Sequence, residues 1–456
     1  MKKIFALLVC FIFILVSVLN ESFAGDGSKK NNKRSPVILE EINPDLSIHE
    51  GYVSLKKETV RIVRNGKVVA KVKLGKPVMV AQAEQEEEWG YFQFPGICRS
   101  DDGKLIVSWM MNEDSHKAYD KGDIFKRMST NGGKTWKPLD RDYFIRGFLS
   151  FDLKNGDVIQ IHNPASKNIK EYRSFPKPVS SISTSNMTFY LEKDLPDNLR
   201  GTYINIRNGQ TKQIVRFQGK LEDPGLMRYA IDDLMPLMWW GEIKELQDGS
   251  LVGGIYRTYY KDFEEVTPKS CITFYKSNDK GHHWKALGRI PYRIEEIKGR
   301  KYDTTRGFCE ASFDVLNDST FFCVIRTGYN TPMYKTYSYD GGKNWTEPTA
   351  FTPNGVRPQL LKMDNGILVL ASGRPGVQLR FSIDGDGKNW TEPIEMLPYM
   401  NEDGSHNIWG ATCGYSRLLK VDNQTFYLVY SDFKTKNEEG EYRKAIMFRK
   451  ITINKK

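Results

Sequence analysis

The sequence predicts an all-β chain folded as a six-bladed β-propeller, and three observations predict it. Four segments share one spacing: Ser129 to Trp136, Ser277 to Trp284, Ser338 to Trp345 and Ser382 to Trp390, the last with one extra residue. Each places Asp or Asn two residues after the Ser, then Gly, and Trp at the end. A second repeat sets apolar runs around tight turns at Asp101-Asp102-Gly103, Asn155-Gly156, Asp248-Gly249, Asn317-Asp318, Asn365-Gly366 and Asp422-Asn423. Asp-Gly and Asn-Gly between alternating runs are strong hairpin signals, so six hairpins imply six blades. The third observation is compositional: 12% of the 456 residues are aromatic, and no long helical periodicity is present.

The chain begins Met1-Lys2-Lys3, continues with an apolar run from Ile4 to Leu19 and reaches Ser22-Phe23-Ala24 before Gly25. A basic start, an apolar centre and a small residue at the end describe a secretory signal peptide over residues 1–24. The run is short for a membrane span, and Asn20 and Glu21 close it. A secreted or periplasmic protein of bacterial type is expected, without a stable membrane span after leader removal. Residues 25–85 form an N-terminal segment in which a strand within Val60 to Val80 would close the ring. Residues 86–456 form the propeller, whose sheet edges would otherwise lie open.

Each Ser-x-Asp turn has a structural purpose. A short carboxylate or amide accepts hydrogen bonds from its own turn, Gly supplies the positive φ, and Trp packs the hairpin onto a neighbour. The second blade offers only a degenerate counterpart near Ser183 to Tyr190. Five cysteines follow the leader, Cys98, Cys271, Cys309, Cys323 and Cys413, and this odd, irregular set reads as buried free thiols. No Cys-x-x-Cys or His-x-x-His pair is present, so neither a metal nor another cofactor is expected.

The formal net charge of +11 is scattered along the chain and favours anionic partners. No nucleic-acid recognition motif accompanies it, and an acidic glycan or polysaccharide suits an exported, aromatic-rich protein better. Hairpin geometry then gathers side chains at one mouth. Residues equally distant from a tight turn lie at the same end of the hairpin. This sets Glu310 beside Arg326, Glu242 beside Arg257, Arg357 beside Arg374, Tyr415 near Tyr430 or Asp432, and Gln93 near Trp109 and Met111. Arginine forks bind planar carboxylates bidentately, so such a mouth fits an acidic sugar. Salt bridges rimming a channel would give the same residue types.

The Ser-x-Asp-x-Gly-x-x-Trp pattern is the Asp-box signature, and residues 86–456 resemble bacterial sialidases and their relatives. The resemblance implies a Glu and an adjacent-strand Arg on the fourth blade, matched by Glu310 and Arg326. It also implies a Tyr nucleophile followed by Ser on the last blade, matched by Tyr415 in Gly414-Tyr415-Ser416. Glu310 would serve as the base of Tyr415, and Arg357 as a further carboxylate-binding arginine. The family's Phe-Arg-Ile-Pro on the first blade is replaced by Phe92-Gln93-Phe94-Pro95, so a charged fork gives way to an amide there. The acid/base Asp falls in the loop 112–123, where Asp114, Asp120 and Asp123 are the candidates and His116 is a rival base. His162 could face the mouth from the second blade.

Three functions follow as expectations. The first is a retaining glycoside hydrolase acting at sialic acid or another acidic sugar. The second is a lyase cleaving a uronate-containing, ulvan-like polysaccharide, with Gln93, His116, His162, Tyr415 and the arginines recast as neutraliser and base. The third is a non-catalytic glycan-binding propeller using Trp239, Trp240, Tyr259 and Tyr260, residues that could equally pack between blades.

Overall fold

The four Ser-x-Asp turns are built alike in the structure, a computed structural model. It describes residues 38–40, 46–49, 52–55, 58–115, 123–139, 150–162, 166–236, 239–260, 269–292, 307–317, 319–328, 331–374, 376–397 and 412–456. In three of the turns the buried Ser hydroxyl accepts the N–H of the Gly four residues on, with Gly133 to Ser129 at 2.9 Å, Gly281 to Ser277 at 2.8 Å and Gly342 to Ser338 at 2.8 Å. The Asn131, Asp279 and Asp340 side chains accept the N–H groups that follow. The fourth turn absorbs its extra residue: Gly387 bonds Ser382, and Asp386 takes the accepting place at Lys388. Asp384 pairs with Arg64 at 3.0 Å.

The tryptophans of three turns pack against a strand group other than their own. Trp345 stacks on Phe274 at 4.5 Å, Trp390 on Phe322 at 5.9 Å, and Trp136 meets Phe448 edge-on at 5.3 Å. The last contact joins the turn of the first four-stranded sheet to the C-terminal strand Tyr442–Lys455. Gly133 and Gly387 are required here. A Cβ on Gly133 would overlap the Phe448 ring, and one on Gly387 would meet Phe322 at 3.0 Å.

Every long element is a strand, and among the described residues helix occurs only as short 3₁₀ turns. Three four-stranded antiparallel sheets run from an inner to an outer strand. The first begins at Tyr91–Arg99 and ends at Lys137–Pro138. The others run from Cys309–Val315 to Thr349–Thr352 and from Val356–Lys362 to Ile394–Leu397. The C-terminal group comprises Ser416–Lys420, Thr425–Lys436 and Tyr442–Lys455, and the N-terminal strands Lys67–Leu74 and Val78–Gln82 pair with the last of these. Alternation drives that pairing: Val72 and Leu74 are buried while Lys71 and Lys73 face outward.

Between the first and second of these sheets in the chain lies a larger, branched one. Ser150–Asp152, Val158–His162, Thr202–Arg207 and Ile214–Glu222 form one antiparallel run. Its last strand pairs in parallel with His283–Ile290, the outer strand of the group Trp239–Glu245, Leu251–Tyr260 and Cys271–Ser277. The segment around Ser183 to Tyr190 does not form the expected blade turn. It carries strands Ser180–Ile182 and Met187–Leu191 of a separate small sheet, completed by Leu226–Ile231 and attached to Leu251–Tyr260. The equivalent turn is made at Asn208, whose side chain accepts the N–H of Gln210 and Thr211. An insertion displaced the pattern along the chain.

Trp240 and Tyr260 are fully buried and Tyr259 nearly so, consistent with core packing rather than exposed stacking surfaces. The Trp239 side chain lies outside the described residues. Cys98, Cys271, Cys309, Cys323 and Cys413 are free thiols, and all but Cys98 are buried. Among the described residues no helix is long and apolar enough to cross a membrane.

Candidate active site

Six residues at one end of the inner hairpins occupy the left-handed backbone region: Phe92 (φ 56°), Phe94 (51°), Arg257 (59°), Glu310 (43°), Arg357 (46°) and Arg374 (55°). Five fall where pairing slips, between Tyr91 and Gln93, Gln93 and Gly96, Tyr256 and Thr258, Cys309 and Ala311, and Val356 and Gln359. Arg374 directly follows the strand Leu368–Gly373. A bulge leaves one residue out of the ladder and re-aims its side chain. Such conformations cost about 1–3 kcal/mol each and concentrate where geometry serves function.

These bulges bring Tyr415, Glu310, Arg326 and Arg357 together. The Tyr415 hydroxyl donates to Glu310 Oε1, and the Arg326 guanidinium pairs with Glu310 Oε2 at 2.6 Å. Arg326 also lies 3.4 Å from the phenolic oxygen of Tyr415. The backbone N–H of Arg357 donates to Glu310 at 3.0 Å, and its guanidinium donates to the Tyr256 hydroxyl at 3.1 Å while lying 5.9 Å from the Tyr415 ring centre. Phe94 meets the Tyr415 ring edge-on at 4.8 Å, so the strand carrying Gln93 also reaches the site. Arg374 approaches the Cys413 carbonyl at 3.5 Å, two residues before Tyr415.

One pattern of inter-sheet bonds orients Glu310. Alternate side chains of Cys309–Val315 accept the free inner-edge N–H groups of Val356–Lys362: Glu310 from Arg357, Ser312 from Leu360 at 2.9 Å, and Asp314 from Lys362 at 3.1 Å. Gln359 continues the pattern to Leu418 at 3.0 Å. Buried backbone donors need such partners, and Glu310 therefore cannot swing away from Tyr415 without orphaning one.

The electrostatics follow from this packing. Burial alone would raise the Glu310 carboxyl, but the charges of Arg326 and Arg357 and the bonds from Arg326 and Tyr415 outweigh it and hold it at about 2. Burial, then the charge of Glu310, pushes the Tyr415 phenol well above its ordinary value, against the opposing pull of Arg326 and Arg357. Burial and the neighbouring Arg326 lower Arg374. The resting site is thus a neutral phenol beside an ionised carboxylate, among guanidinium groups.

The remaining expected residues are placed differently. Glu242 does not stand opposite Arg257, because the bulge between Trp240 and Ile243 shifts the register and pairs Ile243 with Gly253. It accepts from Ser312 at 3.0 Å and lies 3.4 Å from Lys244, which also reaches Asp314. Arg257 stands at the bulge between Tyr256 and Thr258; burial works against its charge, but Tyr229 and Cys309 nearby raise its guanidinium well above the ordinary value. Gln93 is fully buried, and among the described residues neither atom of its amide has a hydrogen-bond partner. Asp114 accepts from Trp89 Nε1 at 3.0 Å. Asp123 begins the strand Asp123–Ser129. His116, Asp120 and the side chain of His162 lie outside the described residues.

Sequence reasoning missed Tyr256 and Phe94. Tyr256 directly precedes Arg257, and only the bulge that turns neighbours in different directions could have revealed it. Asp432 also escaped weighting: it is buried, accepts the Lys434 N–H at 3.0 Å, and burial raises its carboxyl to about 6.

No family model matches the chain, and no curated protein does. Among solved structures the chain is similar to a protein of unknown function from Dyadobacter fermentans, at 16% identity and a TM-score of 0.55, covering 84% of this chain and 99% of that one. It is also similar to a Hadza microbial sialidase, at 18% identity and a TM-score of 0.49, covering 87% of this chain and 73% of that one. A mutant of the NanB sialidase from Streptococcus pneumoniae matches at 14% identity and a TM-score of 0.45, covering 82% and 70%. Likeness at such identity speaks for the all-β fold alone.

Proposed function

We propose that the protein is a secreted, six-bladed Asp-box propeller that hydrolyses glycosides of an acidic sugar, sialic acid or a uronate, with retention of configuration. Residues 1–24 are its leader, 25–85 its N-terminal segment and 86–456 its propeller. The observation that carries this reading is the bonded set Tyr415, Glu310 and Arg326, with Arg357 against both Glu310 and the Tyr415 ring.

In the proposed reaction the Tyr415 oxygen attacks the anomeric carbon and the bond to the leaving oxygen breaks. Glu310 takes the phenolic proton, and an acid from the first-blade loop, Asp114 or Asp120, gives one to the leaving group. Water then cleaves the tyrosyl–sugar bond as the same groups run in reverse. A neutral phenol suits an anionic substrate, which a carboxylate nucleophile would repel.

A carboxylate held at about 2 is a poor base for a phenol whose proton is held more tightly than usual. The anionic substrate resolves this. Its carboxylate competes for Arg326 and Arg357 and so raises the proton affinity of Glu310; because the same arginines also favour the phenolate, the phenol must give up its proton as its oxygen bonds the anomeric carbon, not beforehand. An uncharged sugar would bind without this change.

The test is a screen of aryl glycosides of sialic acid, glucuronic acid and neutral sugars, with uronate polysaccharides beside them. Hydrolysis confined to acidic glycosides, and lost in Tyr415→Phe and Glu310→Gln, supports the reading. An unsaturated, ultraviolet-absorbing product would make the protein a lyase, and binding without turnover a glycan-binding propeller.

A further inference from the structure

Tyr256 stands on the strand Leu251–Tyr260, paired with Trp239 on one side and Ile272 on the other. It is buried in the same core cluster as Phe308, Cys309, Ala311 and Tyr334. Directly after it the pairing slips, and Arg257 takes the left-handed φ of 59°. A bulge at this place re-aims neighbouring side chains.

The Tyr256 hydroxyl reaches Arg357, 101 residues further along the chain, and accepts from its guanidinium at 3.1 Å. Tyr256 belongs to the strand group before the sheet that begins at Cys309, and Arg357 to the sheet after it. From the sheet between them, Glu310 accepts the backbone N–H of Arg357 at 3.0 Å. Arg357 is thus fixed at two points, its backbone by Glu310 and its guanidinium by Tyr256. The guanidinium carbon lies 5.9 Å from the ring centre of Tyr415.

Arginine carries only donors, so the phenol oxygen is the acceptor in this bond and keeps its own O–H to give. Burial pushes the Tyr256 phenol up, against the pull of Arg357, so the partner of the guanidinium is neutral. A neutral acceptor orients a guanidinium without cancelling its charge. Arg326, by contrast, pairs with the Glu310 carboxylate at 2.6 Å. The two arginines therefore differ in kind: one neutralises the base, and the other is aimed by a phenol.

We propose that Tyr256 is a positioning residue and, through Arg357, a determinant of specificity: it sets the guanidinium at the angle at which Arg357 receives the carboxylate of an acidic sugar beside Tyr415. This rests on the acidic-glycoside reading of that site. Orientation matters because a guanidinium fork binds a carboxylate through two parallel N–H···O bonds, and a rotated fork makes only one. Without the hydroxyl, a buried N–H loses its acceptor and the fork turns to recover one. The sugar carboxylate is held both before and during bond breaking, so the loss falls on KM rather than kcat.

The experiment measures steady-state kinetics on an acidic aryl glycoside in wild type, Tyr256→Phe, Arg357→Ala and the double variant, with melting temperature as the folding control. Tyr256→Phe keeps the ring and removes only the hydroxyl. It is expected to lower kcat/KM about tenfold, through KM, when Arg357 is present, and less than about twofold in the Arg357→Ala background. A tenfold loss that persists without the arginine, a loss carried by kcat alone, or no loss would overturn the proposal. So would a Tyr256→Phe chain that fails to fold, since the hydroxyl would then be structural. If wild type hydrolyses no acidic glycoside, the reading of the Tyr415 site has failed instead. Tyr256 is then judged by titrating sialic acid and glucuronic acid into the same four proteins. Binding that weakens in Tyr256→Phe only when Arg357 is present supports the proposal. No binding to wild type, or binding indifferent to Tyr256, overturns it.

Discussion

The Glu310 carboxylate accepts the backbone N–H of Arg357 at 3.0 Å while pairing with Arg326 at 2.6 Å and receiving the Tyr415 hydroxyl. One side chain thereby closes an inner-edge backbone bond between two sheets and contacts both of its proposed chemical partners. Removing its charge and removing its shape should therefore have separable effects.

Glu310→Gln keeps an oxygen for the Arg357 N–H but loses the charge that binds Arg326 and receives the phenolic proton. Turnover of an acidic glycoside should fall by about a hundredfold or more, with substrate binding retained. Tyr415→Phe removes the nucleophile and should cost about a thousandfold or more. Steady-state kinetics on each variant, with melting temperature as a folding control, checks both.

Glu310 also sets a pH signature. Its folded value of about 2 lies below the unfolded value of about 4.3. A depressed carboxyl contributes stability that is present above the unfolded value and fades as pH falls through the folded one. Between about pH 5 and 2, wild type should lose stability that Glu310→Gln does not. Chemical denaturation at stepped pH measures this.

Asp432 carries the opposite sign. Burial raises it from 3.8 to about 6, so its contribution is fully present at low pH and is lost as pH rises through about 6. Asp432→Asn preserves an acceptor for the Lys434 N–H and should be about 2 kcal/mol more stable than wild type at pH 8, with little difference at pH 4. Thermal melts at the two pH values decide it.

Backbone strain at the site predicts an inverted glycine effect. Arg357 has a φ of 46°, which glycine adopts freely and alanine does not. Arg357→Gly and Arg357→Ala both lose the guanidinium and should weaken acidic-sugar binding alike. The glycine variant should nonetheless be about 1 kcal/mol more stable, as denaturant titration would report.

Packing at the turns gives a structural control outside the Tyr415 site. Gly133→Ala places a methyl group against Phe448 at a φ of 88° and should cost about 2–4 kcal/mol. Gly103→Ala, at a φ of 80° with open space around its Cβ, should cost about 1 kcal/mol.

Much of this arrangement was legible in the sequence because it rests on local chemistry. Ser-x-Asp turns and Asn-Gly hairpins carry their own hydrogen-bond logic, and counting outward from Asn317-Asp318 paired Glu310 with Arg326. The same counting failed at Glu242 and Arg257, where the bulge after Trp240 shifts the register. Bulges leave no reliable trace in residue types, and the left-handed positions here are occupied by Phe, Glu and Arg rather than Gly. The small sheet of Ser180–Ile182, Met187–Leu191 and Leu226–Ile231 was misread for a related reason. Its strands alternate like any blade strand, and only long-range pairing with Leu251–Tyr260 distinguishes them.

The central claim is that Tyr415 forms a covalent bond to an acidic sugar. Incubation with fluorinated glycosyl fluorides of sialic acid and of glucuronic acid, followed by peptide mass spectrometry, tests it directly. The account predicts one sugar adduct, from one of the two reagents, on the peptide containing Tyr415, and none in Tyr415→Phe. An adduct on another residue, or turnover of an acidic substrate with no adduct from either reagent and an unsaturated product, would contradict it.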